Sequence, residues 1–492
     1  MSTERKVTLE KHKRFSESAL WRMQRDYFDK EGINAWISQV PFYITSNPFI
    51  AASYAKIALG FMRDWIKTHP DALEHPFYFL ELGTGSGRFS YLFVNALLEL
   101  MQSLDNTSIR FCYVMSDFTK HNMQYWQSHD ALKPYIEKGI IDFALYDMEG
   151  ERPITLIHQN KRLSSEIIRN PLIVFANYIF DTISHDAFTV HEGRIHELLY
   201  NLHTDENNMK NHRPENMEKI EVTHNIREIK NAYYGDPVLD ELLEQYKTTL
   251  RSTSFLMPIG ALRAIKYLRK CSNDRLFIIS TDKGYGTIDQ LDNLGHPTIS
   301  FHSSFSMMVN FHAIDTYFKK TGGTGFLQGP RKGIRTSVFS SGFSLDALPE
   351  TKTAIIDWVE RMSPSDYFTL HSRVRDHFET YDLETLASHL EFALWDPHIY
   401  SKLSPRIIAL LNESPDPRTV QTMAQNMPRL AAHYYHMPQS PCVLFDIGLF
   451  FETIKQYTTA KQYYQAGLSL CPNTPSVIER ITALESEGAS QS

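Results

Sequence analysis

The stretch FLELGTGSGRFSYLFVNALLEL, residues 79–100, decides the fold. An apolar run ends at the acidic Glu81. Gly83, Gly85 and Gly87 follow in alternation, and then comes a segment with helical apolar spacing. This is the pattern of a strand, a tight turn and a helix. Several kinds of nucleotide-binding protein use such a turn. A phosphate-gripping loop needs a lysine and a hydroxyl residue after its last glycine. Arg88 and Phe89 stand there instead. A dinucleotide turn reads GxGxxG. Here the third glycine comes one residue early and Arg88 takes its place, which disfavours NAD or FAD. The form that remains is E-x-G-x-G-x-G.

Outward from this turn, short apolar runs alternate with helical stretches. The runs are FYFLEL (77–82), RFCYVMSD (110–117), IIDFALYD (140–147), LIVFAN (172–177) and RLFIIST (275–281). The first four begin about 30 residues apart, the size of a βαβ unit. Strands separated by helices predict a parallel sheet. A longer gap precedes the fifth run. It holds a hairpin, AFTVHEGRIHELLYNL (187–202), and a polar stretch, HTDENNMKNHRPENMEK (203–219). The polar stretch reads as a mobile loop because it has almost nothing to bury. Residues 325–341 supply a final pair of strands. Before residue 75 the chain reads as helical with one loop break, YITSNP (43–48), ahead of a helix over 49–66. Beyond residue 345 strand signals stop. The expected organisation is an N-terminal helical cap (1–75), an α/β core (76–345) with an insertion at about 187–258, and a helical domain (346–492).

The net charge of −7 and pI near 6.3 argue against a general nucleic-acid binder. Four cysteines with no CxxC pair give no zinc knuckle or disulfide framework. They fit a reducing, cytoplasmic setting. The charged N-terminus has no apolar core like that of a secretory signal. No run approaches the ~18 apolar residues of a membrane helix. His302, His312 and Asp315 lie close in sequence but match no metal signature, so no metal is expected. In GPRKGIRTS (329–337), Arg331, Lys332 and Arg335 read as a solvated turn.

Asp117 ends the second strand. A carboxylate there accepts hydrogen bonds from both hydroxyls of a ribose, or caps the following helix. Asp147 ends the third strand and Asn177 the fourth. The E-x-G-x-G-x-G turn resembles motif I of the class I S-adenosylmethionine (SAM)-dependent methyltransferases. Their fold is a Rossmann-like α/β sheet. In that scheme Glu81, Gly83, Thr84, Gly85 and Gly87 cradle SAM, with Glu81 near its amino group. Asp117 then takes the ribose and Asp147 the adenine amine, while Asn177 stands near the transferred methyl.

The resemblance narrows. YITSNPFIAASYAKIALGFMRDW (43–65) looks like the segment before motif I in the MidA-like methyltransferases. That family includes the mitochondrial complex I assembly methyltransferase. FANYIFDTISHDAF (175–188) and FSMMVNFHAI (305–314) resemble two later elements of the same family. The likeness covers roughly residues 43–318. It implies SAM as donor and, for the mitochondrial member, protein arginine as acceptor. It also implies that Thr45 and Ser46 lie on a loop closing over SAM. Where the family has glutamate after Asn177, this chain has Tyr178; Asp181 is retained as an acceptor-side candidate. The acceptor is left open between a protein side chain, a small molecule and a carrier-bound metabolite. Outside the likeness, Gly448, Phe451, Ala460, Tyr464, Gly467 and Pro472 have the spacing of a tetratricopeptide repeat, a partner-binding element. An ordinary helical hairpin fits the same residues. The alternative function is an inactive, methyltransferase-like scaffold acting through that tail.

Overall fold

The computed structural model describes residues 5–38, 43–150, 152–210, 213–214, 216–331 and 333–490. The chain divides into two compact units. One is Met1–Thr45 with Ser53–Ser365, the other Ser46–Ala52 with Asp366–Ser492.

The first unit is built on a seven-stranded, mostly parallel sheet. From one edge its order is Thr324–Leu327, Arg335–Ser341, Leu276–Asp282, Leu172–Asn177, Phe77–Glu81, Phe111–Asp117 and Ile141–Leu145. Arg335–Ser341 runs antiparallel to both neighbours, and the other pairings are parallel. The five expected strands are all present, each within two residues of its expected ends. Their interiors are buried on both faces, which explains the unbroken apolar runs. Phe77–Glu81 pairs with Phe111–Asp117 on one side and Leu172–Asn177 on the other. The chain order reverses there. In an open α/β sheet a ligand binds at such a switch point, beyond the carboxyl ends of the strands.

A second, antiparallel sheet rises from the long gap. It joins Asp186–His191, Arg194–Asp205, Glu221–Glu228 and Ser252–Met257. Its remaining strand is Lys6–Arg14, in the segment expected to be helical. The difference has a physical reason. KVTLEKHKR lies at the edge of that sheet and is mostly solvent-facing, and charged side chains are how edge strands avoid further pairing. The next residues anchor it. Phe15 is fully buried and stacks on Tyr200 with ring centroids 4.0 Å apart, and Trp21 packs beside it. Within the polar stretch, Met209–Lys210 pairs with Arg213–Pro214, and short turns span Glu206–Asn208 and Met217–Lys219. Residues 211, 212 and 215 lie outside the described residues.

The described residues of the second unit carry helices and no strand. Val443–Thr453 and Tyr457–Leu470 form a helical hairpin. A side chain at Gly448 would strike the Tyr464 ring at 2.5 Å, and one at Gly467 would strike Phe445 at 2.4 Å. The two glycines let the helices touch.

Candidate functional site

The glycine turn sits at the switch point. Gly83, Gly85 and Gly87 all have positive φ (62°, 59° and 81°), which glycine adopts without strain. Thr84 ties the turn to the neighbouring strand. Its N–H donates to the Ser116 carbonyl at 2.9 Å, and its hydroxyl accepts from the Ser116 N–H at 3.1 Å. The fully buried Trp126 donates its indole N–H to the Gly85 carbonyl at 2.9 Å.

Glu81 lies beneath the turn. Three hydroxyls donate to one of its oxygens, Oε2: Thr84 at 3.1 Å, Ser90 at 2.5 Å and Tyr113 at 2.9 Å. Oε1 receives no donor among the described residues. Burial pushes this carboxyl up to about 7, although the three hydroxyls pull the other way.

Asp117 binds the turn from the next strand. Its Oδ2 accepts the Gly85 N–H at 3.4 Å and Asn122 Nδ2 at 3.0 Å, while Oδ1 accepts the Thr119 N–H at 2.9 Å. Burial raises its pKa. It therefore braces the turn and the start of the following helix, with lone pairs left over. Asp147 has a partner that the sequence did not reveal. Arg25, on the helix Ala19–Glu31, grips it at 3.1 and 2.6 Å, and the Arg25 guanidinium lies 4.5 Å from the Phe118 ring centroid.

Trp36 was also missed. Its indole carbons stand 2.6 and 2.7 Å from where a Cβ on Gly85 would be. Its Nε1 is buried and finds no hydrogen-bond partner among the described residues. Gly83 is backed in the same way by Ile179. Thr45 is buried at the end of the turn Tyr43–Thr45, and Ser46 belongs to the second unit.

Across the switch point, Asn177 accepts a hydrogen bond from the Tyr54 hydroxyl at 2.7 Å through Oδ1. Tyr54 is also 2.7 Å from Thr281 Oγ1, which is 2.7 Å from Thr336 Oγ1. Asn177 Nδ2 and the Tyr178 hydroxyl are buried and find no partner among the described residues. Tyr178 has φ of 48°, a costly conformation for an aromatic residue. Its N–H donates to the Thr281 carbonyl at 2.9 Å. Asp181 is buried beside Asp282, whose Oδ2 accepts the Asp181 N–H at 3.1 Å. The fifth expected strand stopped at Thr281, one residue short of Asp282. The strand-end rule that singled out Asp117 and Asp147 as candidates would have singled it out too.

His302, His312 and Asp315 each have separate partners: the Ser300 carbonyl, the Tyr246 hydroxyl and Lys319. The basic stretch departs from a solvated turn. Arg335 opens a buried strand, is 3% exposed, and donates to the Gln328 carbonyl and Gln290 Oε1. Arg331 pairs with Glu360, and Lys332 lies outside the described residues.

No protein-family model matches the chain, and no curated protein does. Similar solved structures include an uncharacterised protein from Burkholderia thailandensis, 11% identical, covering 67% of this chain and 96% of that one at a TM-score of 0.38. A member of the same superfamily from that organism is described as a candidate methyl transferase bound to S-adenosyl-homocysteine. It is 11% identical, covering 67% and 95% at a TM-score of 0.38. The DhpI–SAH complex is 8% identical, covering 66% and 98% at 0.29.

Proposed function

We propose that the chain is a SAM-dependent methyltransferase acting on a protein side chain or a small molecule. The observation that carries this reading is Glu81. A buried carboxylate at the glycine turn, with no donor to Oε1 among the described residues, repels the phosphates of a dinucleotide or triphosphate. It attracts a ligand with a cationic amino group and no phosphate. SAM is such a ligand. Glu81 Oε1 would hold its amino group, Asp117 its ribose and Asp147 its adenine amine. When bound it supplies a methyl group activated by sulfonium, and the protein's task is alignment and exclusion of water. The mostly parallel sheet with its switch point at the turn is the architecture that the family resemblance implies.

Calorimetric titration with SAM, S-adenosylhomocysteine and NAD tests the reading. Binding of both adenosyl ligands and not NAD is expected. Binding of NAD alone would overturn it.

The second reading is an inactive scaffold. Arg25 favours it, because it already occupies Asp147. In either case the helical hairpin around Gly448 and Gly467 serves as a tetratricopeptide-like surface for a protein partner. The four free cysteines fit a reducing, cytoplasmic setting.

A further inference from the structure

Resting on the methyltransferase reading, we propose that Asp181 and Asp282 act as one proton-accepting unit for the methyl acceptor. The acceptor is then a nitrogen or oxygen nucleophile that must give up a proton, not a carboxylate. Asp181 touches the acceptor, and Asp282 positions it.

The geometry sets this up at the carboxyl ends of two neighbouring strands, across the switch point from the glycine turn. Asp181 is 2% exposed and Asp282 0%. Asp282 is fixed by backbone donors, the Asp181 N–H at 3.1 Å and the Lys283 N–H at 2.9 Å. Asp181 Oδ1 is buried and finds no donor among the described residues. Two carboxylates so placed cannot both ionise freely, because each is desolvated and each repels the other. Burial holds both above the usual carboxylate range; the charge of Asp181 raises Asp282 further, while Lys283 and a hydrogen bond with Asp282 draw Asp181 back down. The pair therefore keeps one proton near neutral pH and has room for a second.

The surroundings fit an acceptor more than a purely structural pair. Asn177 Nδ2 and the Tyr178 hydroxyl are buried donors with no acceptor among the described residues, and Tyr178 is held in a left-handed conformation that costs an aromatic residue free energy. Tyr178 feels the charge of both aspartates. Lys283, whose Nζ lies 5.9 Å from the Tyr178 ring centroid, favours the ionised form of Asp181 against the effect of burial.

The step balances. The lone pair of the acceptor N or O bonds to the methyl carbon, and the carbon–sulfur bond breaks with its electron pair remaining on sulfur. The proton that the acceptor loses passes to Asp181. A carboxylate acceptor has no proton to give and would be repelled by the pair.

The test needs no known acceptor. Sinefungin carries a primary amine where SAM carries its transferable methyl, and S-adenosylhomocysteine carries nothing there. Both share the nucleoside and amino-acid parts, so titration of Glu81 cancels in the ratio of their affinities. Besides each other, the groups facing the pair are Lys283, Tyr178 and Tyr54, with His302 beyond Lys283. Both tyrosines are pushed up by burial and stay neutral. The wild-type protein should prefer sinefungin at least ~10-fold at pH 8. This preference should shrink to under ~3-fold at pH 5.5, as the pair takes its second proton. Asp181→Asn and Asp282→Asn should each abolish the preference at pH 8 with S-adenosylhomocysteine affinity within ~3-fold of wild type. Binding of S-adenosylhomocysteine with no sinefungin preference, a preference flat in pH, or one retained in both variants overturns this inference alone. Binding of neither ligand overturns the methyltransferase reading together with it. The wild-type pH series stands even if a variant fails to fold.

Discussion

Arg25 and Asp147 form a two-pronged ion pair, at 3.1 and 2.6 Å, at the end of the strand where an adenine amine is expected. Both side chains remain partly exposed, so the pair is worth little to stability, about 0.2–1 kcal/mol. Its consequence lies in binding. An adenine amine bound as proposed would have to share Asp147 with Arg25 or displace it.

Arg25→Ala should therefore strengthen S-adenosylhomocysteine binding, by up to about fivefold, while changing stability by less than ~1 kcal/mol. Asp147→Ala should weaken it. Calorimetry on both variants decides this, and a loss of affinity in Arg25→Ala would show that the guanidinium is part of the ligand site.

Gly85 is where Trp36 approaches the turn. Gly85→Ala puts a methyl group 2.6 Å from the indole and forces alanine to φ of 59°. A loss of about 1–3 kcal/mol in thermal or urea unfolding is expected, with loss of adenosyl-ligand binding. Trp36→Phe should fold normally and abolish a ligand-induced change in tryptophan fluorescence.

Glu81 gives the site a pH dependence of known sign. Its carboxyl sits near 7 in the fold against an ordinary value of 4.5. The folded chain thus holds this proton more tightly than the unfolded chain. That contribution to stability is present below about 4.5 and is lost as pH rises through about 7. A cationic amino group binds the ionised form, so SAM affinity should rise as pH passes upward through 7. Glu81→Gln should flatten this rise and weaken binding at pH 8 by at least tenfold, about 1.4 kcal/mol. The measurement is a calorimetric pH series from 5.5 to 8.5.

Asp117→Ala carries two costs on the proposed reading, because the residue holds the Gly85 and Thr119 N–H groups and would also hold the ribose of SAM. SAM affinity should fall at least tenfold, about 1.4 kcal/mol. Asp117→Asn separates the roles. It keeps the shape and should retain more of the stability than of the binding.

The central sheet was legible because its strands are buried on both faces and read as unbroken apolar runs. The edge strand Lys6–Arg14 was not, because its charges serve the solvent side and no apolar face announces it. The positions of Glu81 and Asp117 at strand ends, and of Asp147 just beyond one, were legible from the apolar runs alone. Arg25 and Trp36 were not, since nothing in a polar helix or a lone tryptophan says which turn it will cover. That information exists only once the N-terminal segment is anchored by Phe15 and Trp21. Asp282 lay within reach of the same strand-end rule and was lost to one residue of boundary error.

On the proposed reading, Tyr54 sets the polarity that an incoming acceptor would meet. Because its hydroxyl gives its only proton to Asn177 Oδ1, Thr281 must donate to Tyr54 and Thr336 to Thr281, a relay of aligned O–H groups through the sheet. The Asn177 amide is thereby locked with its oxygen on Tyr54 and its NH2 buried on the other side, with no acceptor among the described residues. Replace Tyr54 with Phe and the amide is free to rotate, so the same asparagine would greet the acceptor as an oxygen instead of a donor.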